Sequence, residues 1–159
     1  MIAVIGCGNT NRSDDGVGPE VLRLLREKGP ASHDVKLLDA GTDGMAVMFS
    51  ARGCDTLIVV DACQSGSDPG AIFEVPGSEL EQRHEPSLTM HDFRWNHALF
   101  AGRQIFRDDF PVDVVVLLIE AASVTYGIGL SPPIDAAATN VVNRIGALIE
   151  ERMSAPARS

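Results

Sequence analysis

The sequence predicts an α/β fold: a three-layer sandwich whose mixed, mostly parallel, twisted sheet of about five strands has helices on both faces. The main observation is that short β-branched runs alternate with segments of helical periodicity, as in parallel strands joined by crossover helices. The chain of 159 residues is also long enough to bury one substantial core. Its composition, 45% hydrophobic and 22% charged, is that of an ordinary globular domain without internal repeats.

Residues 1–152 are expected to form a single domain, and residues 153–159 a flexible C-terminal tail. Five apolar runs bounded by turn residues predict strands at 2–5, 35–38, 56–60, 71–75 and 113–119. Helical periodicity and its stop signals predict helices at 15–28, 43–50, 91–106 and 134–152, with Thr42 as the N-cap of the second.

The connections between these strands predict the sheet order. Residues 71–75 follow the third strand too closely for a helical crossover, which indicates an antiparallel edge strand. The expected order is 2-1-3-5 with that antiparallel strand at one edge. In such a sheet the ligand crevice lies beyond the carboxyl ends of strands one and three, where the winding direction reverses.

The charge balance narrows the possible partners. Lys and Arg number 13 against 22 Asp and Glu, so the net charge of −9 argues against nucleic acid or an anionic membrane as a partner. No apolar stretch is long enough to span a bilayer, and the first residues read as a strand rather than a signal peptide. The three cysteines contain no CxxC motif and predict no disulfide framework, so we expect a cytoplasmic protein.

The segment GCGNTNRSDDGVG, residues 6–18, follows the first strand and raises two alternatives. A Gly-x-Gly turn is typical of dinucleotide binding, and Asp39 lies where a ribose-binding acid is expected, but the sixth position of the fingerprint is Asn11 rather than glycine. Asp14 and Asp15 would also repel a phosphate at the following helix N-terminus. The favoured interpretation is therefore a cation site, with nucleotide binding as the alternative.

Three side chains are candidate ligands for that cation. Asp14 is the better candidate for a helix cap, which leaves Asp15 free to point across the crevice. Asp61 follows the central third strand, where it either caps a turn or binds a ligand. His91 is expected to open a helix near the same sheet edge, with Trp95 one turn later. Together these residue types make an open nitrogen and oxygen site suited to a borderline divalent ion.

The remaining donors have simpler interpretations. His33 and His84 lie in polar segments and are expected to be exposed, and His97 is expected to be a surface or packing residue. Cys63 is expected to be a small buried side chain rather than a metal ligand. The sequence contains neither HExxH nor GxSxG, so no standard hydrolase motif identifies a nucleophile.

With these residues assembled, the chain resembles the hydrogenase maturation proteases, which trim the C-terminus of the nickel–iron hydrogenase large subunit. Several segments carry the resemblance: residues 6–18, DAGTDG at 39–44, LIVVDA at 57–62, His91, and EAASVTYGIGLSPP at 120–133. Some relatives carry Glu at the first ligand position, where this chain has Asp15. The segment after the histidine, DFRWNHALF, is less apolar than in many relatives.

The resemblance implies a peptidase whose metal ligands are Asp15, Asp61 and His91, acting on nickel carried by the large-subunit precursor. The metal would polarise the scissile carbonyl or activate a water, and Asp39 is a candidate base. We expect these four residues to form the catalytic set, in an aspartic-type or metal-dependent monomeric enzyme. A non-catalytic nickel-binding maturation chaperone using the same ligands is the alternative.

Overall fold

A computed structural model of the protein describes residues 1–29, 32–85 and 92–156. Its strands are β1 (Ile2–Cys7), β2 (Val35–Gly41), β3 (Thr56–Cys63), β4 (Ile72–Pro76) and β5 (Asp113–Glu120). Its α-helices over these residues are α1 (Val17–Lys28), α2 (Gly44–Ala51), α3 (Trp95–Phe106) and α4 (Pro132–Ser154). In this part of the chain no helix is long and apolar enough to cross a membrane.

The sheet has the order β2-β1-β3-β5-β4, which confirms the predicted arrangement. The strands β2, β1, β3 and β5 are parallel, and β4 pairs antiparallel with β5 at the edge. All six residues of β1 and the first six of β3 are buried, as expected for central strands covered on both faces. The carboxyl ends of β1 and β3 therefore lie side by side, at the switch point of the winding.

Two hydrophobic clusters cover the two faces of the sheet and make the three layers that the sequence predicts. On one face, α1 and α4 pack against alternate strand residues such as Val4, Ile58 and Leu117. On the other face, α2 and α3 pack against the intervening residues, including Ile5 and Val59. Since successive strand side chains point to opposite faces, one apolar strand supplies both clusters.

Several element boundaries differ from the prediction. β3 continues to Cys63, so Asp61 lies within the strand rather than after it. The prediction of Thr42 as the α2 N-cap is wrong. Asp43 holds that position, and its Oδ1 accepts hydrogen bonds from the amides of Met45 (2.9 Å) and Ala46 (3.1 Å). The negative charge of a carboxylate at this position is also attracted to the positive end of the helix dipole.

The start of α3 also differs, because the helix begins at Trp95 rather than at residue 91. His97, in its first turn, accepts a hydrogen bond at Nδ1 from the Arg94 amide (3.0 Å), which satisfies a donor at the helix N-terminus. His97 is buried, in agreement with a packing role. The expected exposure of His84 is wrong: this half-buried ring packs edge to face on Phe93, with centroids 5.3 Å apart.

Gly18 allows α1 to approach the sheet closely. A Cβ atom at Gly18 would lie 2.2 Å from the Cys7 carbonyl oxygen and 2.7 Å from that of Val60. Both oxygens belong to strands, so neither can move aside as a flexible side chain would. The glycine therefore fixes the distance between the helix and the carboxyl ends of β1 and β3.

We predict that Gly18→Ala lowers the free energy of unfolding by about 1–3 kcal/mol, because the added methyl group overpacks this contact. Gly146 is the matched control, since it lies in α4 and a Cβ atom added there would meet no atom within 4 Å. Gly146→Ala should stabilise the protein by about 0.5–1 kcal/mol through helix propensity. Urea unfolding monitored by circular dichroism measures both, and equal effects of the two substitutions would contradict the packing argument.

Candidate active site

An open cleft of about 430 Å³ lies at the carboxyl edge of the sheet, where the topology predicts a crevice. Its walls come from the loops after β1, β2 and β5, the end of β3 and the residue before α3. The lining residues are Asn9, Arg12, Asp15, Thr42, Ala62, Cys63, Gln64, Arg94 and Val124.

Asp15 lies in a short 3-10 turn, Ser13–Gly16, that connects β1 to α1. Its half-buried carboxylate lines the cleft, and Oδ2 accepts a hydrogen bond from the backbone amide of Asn9 (2.8 Å). The amide of Asn9 belongs to the Gly-x-Gly turn that would bind a phosphate in a dinucleotide fold. A carboxylate of the protein already occupies this donor, which argues against the nucleotide alternative.

Asp61 is buried at the end of β3, with 4% of its surface exposed. Its Oδ2 accepts a hydrogen bond from Trp95 Nε1 (2.7 Å), and its Oδ1 accepts one from the Ala62 amide (2.8 Å). Burial raises the pKa of Asp61 from 3.8 to about 6; the two hydrogen bonds and the Arg94 charge oppose this shift, and the Asp15 charge adds to it. The two carboxylates are therefore close enough for one charge to affect the other.

Of the other two predicted site residues, only Asp39 belongs to the described part of the chain. Asp39 is an exposed residue of β2 whose Oδ1 accepts a hydrogen bond from the Gly41 amide (3.0 Å). It lines a second cleft of about 410 Å³ and is not among the residues lining the first. His91 lies outside the described residues. Within residues 1–29, 32–85 and 92–156, no three His, Cys, Asp or Glu side chains form a metal-binding group.

Asp14 does not cap a helix, so that prediction is wrong. Its buried carboxylate instead accepts hydrogen bonds from the loop after β5. The donors are the amides of Ala122 (2.9 Å), Ser123 (3.0 Å) and Ser131 (2.7 Å), together with the Ser131 hydroxyl (2.9 Å). Burial alone would raise the pKa of Asp14, but these hydrogen bonds outweigh it and lower the pKa. Asp14 thereby fixes the cleft wall that carries Val124.

Glu120 fixes the opposite wall and was not identified from the sequence. This buried residue ends β5, and its carboxylate accepts hydrogen bonds from the amides of Ser65 (2.8 Å) and Gly66 (2.9 Å). The expected full burial of Cys63 is wrong: this residue is half-buried and lines the cleft, and its thiol donates to Glu120 at 3.1 Å. Burial raises the pKa of Cys63 to about 12, with Glu120 contributing to the rise, so this thiol stays protonated at neutral pH. The only sequence signal for Glu120 was an acid at a strand end.

Trp95 is a further residue whose role the sequence did not indicate. Its indole donates a hydrogen bond to the buried Asp61 carboxylate. Arg94, the preceding residue, lines the cleft together with Arg12 and Asp15. The cleft wall thus carries one acid and two guanidinium groups, and the buried Asp61 precedes the lining residue Ala62 in β3.

Comparison with known proteins identifies relatives over almost the whole chain. A sequence model of the hydrogenase maturation protease family matches residues 19–147. The coenzyme F420 hydrogenase subunit delta of Methanothermobacter thermautotrophicus is 30% identical over 152 residues, covering 91% of each chain. The hydrogenase 2 maturation protease of Escherichia coli is 26% identical over 151 residues, covering 94% of this chain and 91% of the relative.

Solved structures show the same fold. The hydrogenase maturating endopeptidase HybD from Escherichia coli superposes with a TM-score of 0.81 at 25% identity, covering 96% of this chain and 93% of the other. A [NiFe] hydrogenase maturation protease from Thermococcus kodakarensis superposes with a TM-score of 0.74 at 22% identity, covering 94% and 92%, which supports the fold alone.

We predict that Asp14→Ala lowers the free energy of unfolding by about 3 kcal/mol or more, because it leaves buried amides without an acceptor. Ser131→Ala, which removes one hydroxyl donor and keeps the carboxylate, should cost about 1 kcal/mol. Because the folded-state pKa of Asp14 is lowered, its stabilisation is complete above the unfolded pKa of about 4 and is lost as the pH falls through the folded value. Urea unfolding from pH 7 to pH 3 measures this, and an Asp14→Ala penalty that is unchanged at pH 3 would contradict it.

Proposed function

This chain belongs to the hydrogenase maturation protease family, and on that premise we propose that it removes the C-terminal peptide of a nickel-loaded hydrogenase large-subunit precursor. Membership of the family makes the protein an endopeptidase. The observation that carries the more specific proposal is the placement of two acids at neighbouring strand ends: Asp15 follows β1 and lines the cleft, and Asp61 lies near the end of β3, next to the lining residue Ala62. Two carboxylates in this position favour a substrate that brings a cation.

Nickel carried by the precursor is that cation in our proposal. Asp15 and Asp61 supply oxygen donors, and His91 supplies the nitrogen donor, a set that suits a borderline divalent ion. Cys63 is a weaker candidate because its thiol already donates a hydrogen bond to Glu120. The nickel belongs to the substrate, so binding it selects precursors that have received their metal.

Docking of the nickel places the scissile peptide bond in the cleft. Hydrolysis requires the oxygen of a water to attack the carbonyl carbon and the C–N bond to break, while a proton from that water reaches the leaving amine. A divalent ion can polarise the carbonyl or lower the pKa of the water. The enzyme's own groups hold the geometry: Trp95 and the Ala62 amide fix the Asp61 carboxylate, and the Asn9 amide fixes that of Asp15.

The role of Asp39 as the general base in this reaction stays a prediction. It lies in the neighbouring cleft, so it would reach the water only through a substrate group or a second water that spans both clefts. Asp39→Asn removes the charge and keeps the side-chain shape. A loss of kcat with unchanged KM would support a role in proton transfer, and unchanged kcat would exclude it.

The cellular compartment and the oligomeric state of the enzyme are also part of the proposal. All three cysteines, Cys7, Cys54 and Cys63, are unpaired thiols, which fits the reducing cytoplasm. We propose that the protein acts there as a monomer, with the precursor as its macromolecular partner. Sedimentation equilibrium at micromolar concentration measures the mass directly, and a dimer would contradict this part of the proposal.

We predict that Asp15→Ala, Asp61→Ala and His91→Ala each reduce precursor trimming at least about a hundredfold, because each removes a group that positions the metal and the scissile bond. The assay incubates purified protein with nickel-loaded precursor and follows the mass of the large subunit. Asp108→Ala is the control: it removes an exposed carboxylate near the start of β5, at the opposite edge of the sheet, and should leave trimming unchanged. Trimming of nickel-free precursor at the same rate would contradict nickel recognition.

The fluorescence of the single tryptophan of the chain provides a separate test of nickel binding. The indole of Trp95 is hydrogen-bonded to Asp61, so paramagnetic Ni²⁺ bound by that carboxylate should quench its fluorescence. Quenching should saturate in the wild type and in Asp108→Ala, and should weaken in Asp15→Ala. Equal quenching in all three proteins would show that the ion binds elsewhere.

A further inference from the structure

The loop after β5 exposes two large apolar side chains beside the cleft. Tyr126 is 81% exposed and Ile128 is 89% exposed, and among the large hydrophobic side chains of the described residues only Val112 is comparably exposed, at 83%. Val112 stands alone before β5, whereas Tyr126 and Ile128 share one short segment. We call residues 122–130 the Tyr126 loop.

The backbone of the Tyr126 loop is held firmly although its side chains face solvent. The Gly127 oxygen accepts from the Ser13 amide (2.8 Å), and the Gly127 amide donates to the Asn11 oxygen (2.9 Å). The Ser13 hydroxyl donates to the Thr125 oxygen (2.8 Å), and the buried Asp14 carboxylate binds the first residues of the loop. A loop fixed in this way loses little conformational entropy when a partner binds it.

The Tyr126 loop is continuous with both clefts. Val124 lines the cleft that contains Asp15, and Ile128 lines the second cleft together with Asp39. Arg12 connects the loop to the first cleft, since it lines that cleft while its guanidinium carbon lies 4.6 Å from the centre of the Tyr126 ring. A protein segment that enters the first cleft beside Arg12 would therefore pass close to Tyr126.

The composition of this surface indicates the chemistry of its partner. Tyrosine and arginine are among the residues most often found at binding hot spots, and a rigid exposed aromatic group fits an apolar pocket. The ion pairs found among the described residues do not include Arg12, so its charge is available to a partner. In a protein of net charge −9, this cation favours an acidic group at the edge of the pocket.

We propose that the Tyr126 loop is the docking surface for the folded body of the large-subunit precursor. Tyr126 and Ile128 enter an apolar pocket of the precursor, an acidic group of the precursor pairs with Arg12, and the C-terminal segment of the precursor lies in the cleft. This inference rests on the proposed function and adds a specificity surface that is separate from the metal ligands.

The test is the double substitution Tyr126→Ser with Ile128→Ser, assayed on nickel-loaded precursor. KM should rise about tenfold or more, as expected for the loss of hot-spot contacts, while kcat changes less than about twofold. Arg12→Gln should raise KM as well and make it less sensitive to salt. Val112→Ser, an equally exposed apolar residue near the start of β5, should leave KM unchanged. The thermal midpoint of each variant confirms that the fold is intact.

Binding of the precursor to immobilised wild type and double variant, measured by biolayer interferometry, provides a readout that does not depend on cleavage. The expected result is weaker binding by the double variant, with binding by Val112→Ser equal to that of the wild type. Unchanged binding and KM in the double variant would overturn the inference while wild-type trimming still supports the proposed function. An equal loss in Val112→Ser would also overturn it. So would sedimentation data showing that the wild type self-associates and the double variant does not, because a second copy would then occupy the loop.

Discussion

The burial of one carboxylate, that of Asp61, near a second acid, Asp15, is the constraint on which this site depends. Asp15 follows β1 and Asp61 ends β3, and the parallel pairing of these two strands places both acids at the carboxyl edge of the sheet. Asp61 is buried and has two hydrogen-bond donors among the described residues, so its negative charge is poorly compensated within that part of the protein. A divalent cation that binds between such groups relieves both the burial cost and the mutual repulsion. Under the proposed function, a metal carried by the substrate would supply this relief.

Three buried carboxylates near the cleft behave differently because their numbers of donors within the described residues differ. Asp14 and Glu120 each accept hydrogen bonds from two or more backbone amides and a serine hydroxyl, and each has a lowered pKa despite its burial. Asp61, with fewer such donors and a neighbouring negative charge, has a raised pKa. The first two are framework groups that fix the cleft walls, and the third retains the capacity to bind a ligand. Burial by itself does not separate these roles, whereas the number of donors does.

The sheet order, the edge position of β4 and the placement of Asp15 and Asp61 at the carboxyl ends of adjacent strands could be predicted from the sequence, because strand periodicity and right-handed crossovers leave few arrangements. The role of Asp14 could not be predicted, since its main partner Ser131 lies 117 residues away and no local pattern marks the contact. Glu120 and Trp95 escaped prediction for the same reason: their partners in the 63–66 loop and at Asp61 are tertiary. Sequence patterns also misplaced the N-cap of α2 and the first residue of α3. In each case the side chain of a neighbouring residue, Asp43 or His97, accepts a hydrogen bond from a free amide at the helix start.

The most direct test of the central claim is a crystal structure of the protein with bound nickel, with diffraction data collected at the nickel absorption edge. The expected result is an anomalous peak in the cleft, within coordination distance of a carboxylate oxygen of both Asp15 and Asp61, with a nitrogen of His91 completing the set. A peak at Cys63 or His84 with none between the two carboxylates would contradict it.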